Sequence, residues 1–122
     1  MKNKKSFSIR ARGNSFKYAF EGLKDFFRSE HNAWFHLSGS ITVIVLAVVS
    51  RVSRLEMIAL IFAISLVWVA ELFNTAIEKI MDFISAEQRP NIKFIKDLSA
   101  AAVLIAAIVA FITGCIVFIP KL

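Results

Sequence analysis

Residues 55–82 read LEMIALIFAISLVWVAELFNTAIEKIMD. The stretch begins as a membrane-spanning helix should and then carries Glu71, Asn74, Glu78 and Asp82. At about 100° per residue, positions 71, 74, 75, 78 and 82 share roughly a third of a helix circumference. A lone carboxylate near mid-bilayer costs about 3 kcal/mol or more. Three acids and an amide on one face of an apolar helix therefore need a purpose.

Working outward, two further apolar segments resemble the first half of this one. They are 33–50, AWFHLSGSITVIVLAVVS, and 98–119, LSAAAVLIAAIVAFITGCIVFI; the central span itself is 55–77. Each approaches the ~20 residues that cross about 30 Å of hydrocarbon as a helix. No period-2 pattern suggests strands, and an open sheet has no place in lipid. The chain is 57% hydrophobic over 122 residues, above the roughly 45–50% of soluble domains and too much for so short a chain to hide. The sequence predicts an all-α membrane protein forming a single membrane domain over 1–122.

Eight of the fifteen Lys and Arg lie before residue 30. Beside an apolar span this basic tract suits an anionic lipid surface rather than nucleic acid. Residues 1–13 read as a basic tail. Residues 14–29, NSFKYAFEGLKDFFRS, space Phe16, Ala19, Phe20, Leu23, Phe26 and Phe27 by threes and fours with charges between them. That predicts an amphipathic interfacial helix capped by Asn14. With the amino terminus inside, twelve basic residues face the cytoplasm and three (Arg51, Arg54, Lys121) face out. The positive-inside rule therefore predicts N-in, C-out. No cleavable signal peptide is expected, because the first long apolar run follows Glu21, Asp25 and Glu30. Ala102, Ala106, Ala110 and Gly114 form a small-residue stripe for close helix packing. Cys115 has no second cysteine to pair with.

This topology carries the carboxyl end of the second span, with Glu71 deepest, to the cytoplasmic side. Glu30, just before the first span, and Lys96–Asp97, just before the third, arrive there too. Converging carboxylates beside lysine suit Mg²⁺ binding with substrate phosphates, or general-base catalysis by a buried acid. Ion or proton conduction through a small oligomeric channel or transporter is the rival, and a non-catalytic scaffold a third reading. The outer halves of all three spans are almost wholly apolar, which argues against a through-path. There is no Gly-rich phosphate loop and no His/Cys cluster at zinc spacing.

The segment AELFNTAIEKIMD is similar to E-x-x-N-[ST]-A-[IV]-E-x-x-x-D, and KDLSAAAVLI resembles K-D-x-[AGS]-[AS]-[AG]-A-V-L. These are the signatures of the small integral-membrane lipid kinases of bacteria, the diacylglycerol and undecaprenol kinases. The resemblance runs over about residues 15–119. It implies a homotrimer with active sites shared between subunits, using ATP and Mg²⁺ to phosphorylate a membrane lipid alcohol. By the same resemblance Glu71 matches the general base. Glu78 and Glu30 match the metal-binding carboxylates, and Asn74 lies between them. Lys96 and Asp97 match nucleotide contacts, and Tyr18 and Glu87 match further positions of that site. The stretch SAEQRPNIKFIKD, read as a loop, keeps Glu87 but lacks the His and Gly often found before the K-D pair. EHNAWFH is closer to the undecaprenol-type pattern E-x-N-x-x-x-H, with His36 where the diacylglycerol type has an acid. Undecaprenol is thus the favoured acceptor, with diacylglycerol the alternative.

Overall fold

The computed structural model describes residues 8–122, in which four α-helices and a short 3₁₀ turn follow one another. Lys2, Lys4 and Lys5 of the basic tail lie outside the described residues. The helices are α1 (Ile9–Ser29), α2 (His31–Val49), α3 (Arg54–Ile84) and α4 (Pro90–Phe118), and the 3₁₀ turn is Ile119–Lys121. Among the described residues there is no strand. Three helices are long and apolar enough to cross a membrane: α2, α3, and α4 continued to Lys121. The fold is all-helical, as the apolar runs require. The chain divides at Leu37/Ser38, inside α2, into two compact units.

In the first unit α1 starts five residues earlier than expected. Its cap is Ser8, not Asn14: Ser8 has extended backbone (φ −143°, ψ 129°) and its Oγ accepts from Ala11 N at 3.3 Å. Asn14 lies inside the helix because nothing from 9 to 13 stops it. Gly13 costs only about 1 kcal/mol relative to alanine there, whereas a proline would break the helix. Phe16 and Phe20 are exposed and Phe26 is buried. Glu30 alone separates α1 from α2, and its N–H donates to Phe26 O at 3.0 Å. Across this elbow Trp34 Nε1 donates to Phe27 O at 2.9 Å, with the two rings edge-to-face at 5.1 Å.

In the second unit α3 and α4 form the most extensive helix pair. Buried Ala63 on α3 and Ala106 on α4 supply the small side chains that let helix backbones approach in lipid. Of the small-residue stripe, Ala106 is buried in the chain, while a Cβ added at Gly114 would meet nothing within 4 Å. Trp68 Nε1 donates to Ser40 Oγ at 2.9 Å and ties α3 to α2.

The end of this unit opposite the acid face is closed by a knot of Ala47, Leu60 and Val117, with Val43, Val52, Met57 and Phe118 around it. Here α2 ends in a Schellman turn: Val52 N donates to Ala47 O and Arg51 N to Val48 O, both at 3.2 Å. Arg51 occupies the left-handed position, φ 54°, that glycine usually takes. Ser53 and Glu56 then form a reciprocal capping box that starts α3. Lys121 Nζ reaches Glu56 Oε2 at 3.2 Å, joining the carboxyl end of the chain to the start of α3.

At the other end the structure corrects the reading of SAEQRPNIKFIKD as a loop. Only residues 85–89 connect the helices, because Pro90 sits at the first position of α4, where its fixed φ suits helix initiation and its missing N–H is no loss. Lys93, Lys96 and Asp97 are therefore helical residues.

Candidate active site

The site is built where the last turns of α3 run beside the first turns of α4. Glu71 is buried, 8% exposed, and is the one acid among the buried residues of this chain's described part. One turn on, Asn74 Nδ2 donates to Glu78 Oε1 at 3.1 Å, the i,i+4 geometry that the helical spacing predicts. From α4, Ser99 Oγ donates to Asn74 Oδ1 at 2.6 Å and also lies 2.9 Å from Lys96 O. Ser99 is itself buried, 6% exposed. Farther along, Lys96 Nζ donates to Asp82 Oδ1 at 2.7 Å. Asn74 and Asp82 on α3 thus bond to Ser99 and Lys96 on α4 as a polar ladder within an apolar pair of helices, with Glu78 joined through Asn74.

Beside the ladder lies a cavity of about 250 Å³ whose lining includes Glu87, Gln88, Lys93, Lys96 and Asp97. Lys93 Nζ donates to Asp97 Oδ2 at 2.6 Å, and Glu87 pairs loosely with Arg89 at 3.5 Å. Two ammonium groups and two carboxylates share this wall, a mixture that suits phosphate accompanied by a cation. The structure therefore gathers Asn74, Glu78, Glu87, Lys96 and Asp97 around one end of α3–α4, with Glu71 one turn deeper. Tyr18 and Glu30 belong to the first unit: Tyr18 is exposed midway along α1, and Glu30 is half-buried at its carboxyl end.

The sequence reading missed Ser99, which it passed over as part of an apolar span. Its signal was present: a hydroxyl three residues after Lys96, at the depth of Asn74. The partners of Asp82 and Asp97 were also missed, although Lys93 and Asp97 stand at i,i+4.

Among the described residues no group of three or more His, Cys, Asp or Glu is close enough to hold a metal ion by itself. The donors fit a hard cation carried mainly by a ligand's phosphates. Mg²⁺ keeps several waters and takes one or two carboxylates, and Glu78 is a carboxylate that would be available to it here.

Three apolar helices of membrane length, two of them joined by this ladder, define a helical membrane protein. Comparison with known proteins gives the family. Residues 17–118 match the family model described as prokaryotic diacylglycerol kinase. The chain is 33% identical over 108 residues to the undecaprenol kinase of Bacillus subtilis (strain 168), covering 88% of each chain. It is 37% identical over 101 residues to the diacylglycerol kinase of Escherichia coli (strain K12), covering 81% of each. A 33% match over 106 residues to the diacylglycerol kinase of Haemophilus influenzae covers 86% of this chain and 90% of that one. The chain belongs to the prokaryotic diacylglycerol kinase family and is a lipid kinase. Nothing in these relatives supports the channel or transporter reading.

Proposed function

We propose that this kinase transfers the γ-phosphoryl group of ATP to the hydroxyl of undecaprenol, at the cytoplasmic face of a bacterial inner membrane. The observation that carries the reading is the buried Glu71 at the foot of the Asn74–Glu78–Ser99–Lys96 ladder. An acid held there can reach a hydroxyl that stays in lipid, while Lys96 and the neighbouring cavity meet a nucleotide from the water. Glu71 accepts the proton of the lipid hydroxyl as its oxygen bonds to the γ-phosphorus. The bond from that phosphorus to the β,γ-bridging oxygen breaks, and ADP leaves. Lys96 turns from Asp82 to the phosphates, and Lys93, Asp97 and Glu87 border the nucleotide. Mg²⁺, when bound, offsets phosphate charge, with Glu78 as a protein ligand. Positioning and electrostatics carry most of phosphoryl transfer, so this short residue set suffices.

The resemblance supports Glu30 as the second metal carboxylate, Tyr18 as a further nucleotide contact, and a homotrimer whose subunits share each site. The biased placement of Lys and Arg supports N-in, C-out, and exposed Phe16 and Phe20 support an α1 that lies in the interface on an anionic lipid surface. Undecaprenol as acceptor is supported by the EHNAWFH pattern and by the Bacillus relative. Diacylglycerol is the second reading, favoured by 37% identity to the Escherichia coli enzyme. Phosphorylation of the two lipids by the purified kinase in mixed micelles separates them. The expected result is a kcat/KM for undecaprenol at least about tenfold higher, a difference worth some 1.4 kcal/mol in transition-state binding. The reverse preference would overturn the acceptor assignment.

A further inference from the structure

We propose that Ser99 is a positioning residue for divalent-metal binding, acting through Asn74 on Glu78. This rests on the reading of Glu78 as a metal-binding carboxylate. The chemistry of the three groups sets a direction. A carboxylate only accepts, so Glu78 Oε1 calls for the Nδ2 end of the Asn74 amide, which it has at 3.1 Å. The Oδ1 end then needs a donor, and Ser99 Oγ supplies one at 2.6 Å. Were the amide turned over, Oδ1 would face the carboxylate as acceptor against acceptor. The Ser99 hydroxyl has an ordinary alternative, its own helix carbonyl at Lys96, 2.9 Å away. It is thus shared between holding α4 and orienting α3.

Burial gives the contact its weight. Ser99 is 6% exposed, and no buried side-chain polar atom among the described residues lacks a partner. Removing the hydroxyl deprives Asn74 Oδ1 of this donor in a setting where replacement by water is hindered. The amide then loses its fixed sense, and Glu78 loses the hydrogen bond that sets the plane of its carboxylate. Holding Oε1 fixes the direction of Oε2, and a metal with strict octahedral demands is sensitive to that direction. Ser99 touches neither substrate nor metal in this account.

The test compares wild type, Ser99→Ala, Ser99→Thr and Glu78→Gln in detergent, without turnover. Mn²⁺ binding is followed by electron paramagnetic resonance with a non-hydrolysable ATP analogue present. Thermal midpoints are recorded alongside. Ser99→Ala is expected to weaken Mn²⁺ binding about fivefold, the size of one net hydrogen bond. Ser99→Thr restores it to within about twofold, the midpoint moves little, and Glu78→Gln loses most binding. Wild-type Mn²⁺ binding by Ser99→Ala, with Glu78→Gln defective, would overturn the role of Ser99 alone. Equal weakening in Ala and Thr variants with lowered midpoints would mean that Ser99 only packs, and would overturn it too. Wild-type binding by Glu78→Gln would overturn the metal reading beneath it.

Discussion

Lys96 shows how much a single side chain does at this site. Its ammonium is paired with Asp82 at 2.7 Å and lines the same cavity as Lys93 and Asp97. The Lys96–Asp82 pair is only part-covered, with side chains 37% and 62% exposed, so it adds less than about 1 kcal/mol to stability. In the proposed reaction the same ammonium meets phosphate, where a charge-assisted contact is worth more. Lys96→Met is therefore expected to raise the KM for ATP roughly tenfold or more while the thermal midpoint in detergent barely changes. Steady-state kinetics with a melting curve check both. A lowered midpoint with unchanged KM would assign Lys96 to structure. Glu71, Asn74 and Glu78 were legible in the sequence because they share one helix, where the 100° step fixes their relative direction. Ser99 was not, because it meets Asn74 across 25 positions. That meeting depends on how α3 and α4 are set against each other by packing, which no local pattern encodes.

At the scale of elements, apolar run length located all three membrane-length helices but not their ends. Lipid thickness limits the apolar run, not the helix, so α3 continues to Ile84 and α4 begins at Pro90. The acid face and Lys96 consequently stand on rigid helix, which suits a site that must hold its geometry. Asn14 was a plausible cap by residue type, yet Ser8 precedes it and the helix had no reason to wait. The α2–α3 turn carries two opposing contributions that can be measured. Ser53 caps α3, so Ser53→Ala is expected to cost about 1 kcal/mol. Arg51 sits at φ 54°, and Arg51→Gly is expected to gain about 1 kcal/mol by relieving a left-handed L-residue. Unfolding in a denaturing detergent titration gives both signs. Both turn residues lie far along the chain from the ladder, so kinase activity at permissive temperature should be unchanged in each variant.

For the molecule as a whole, the chain buries little and exposes much. Phe62, Phe73, Leu104, Ile105 and Phe111 are all more than half exposed, which is consistent with helices whose outer faces meet lipid or other copies. In the second unit most of the charged residues stand where α3 ends and α4 begins, the place of the proposed reaction. Glu71 is the proposed base for phosphoryl transfer to a lipid hydroxyl. The direct measurement is transfer of labelled γ-phosphate from ATP–Mg²⁺ to undecaprenol and to diacylglycerol in mixed micelles, by wild type and by Glu71→Gln. Loss of a positioned general base predicts a kcat lower by at least about 10²-fold in a variant that still folds and binds nucleotide. A Glu71→Gln enzyme that phosphorylates either lipid at the wild-type rate would contradict the account.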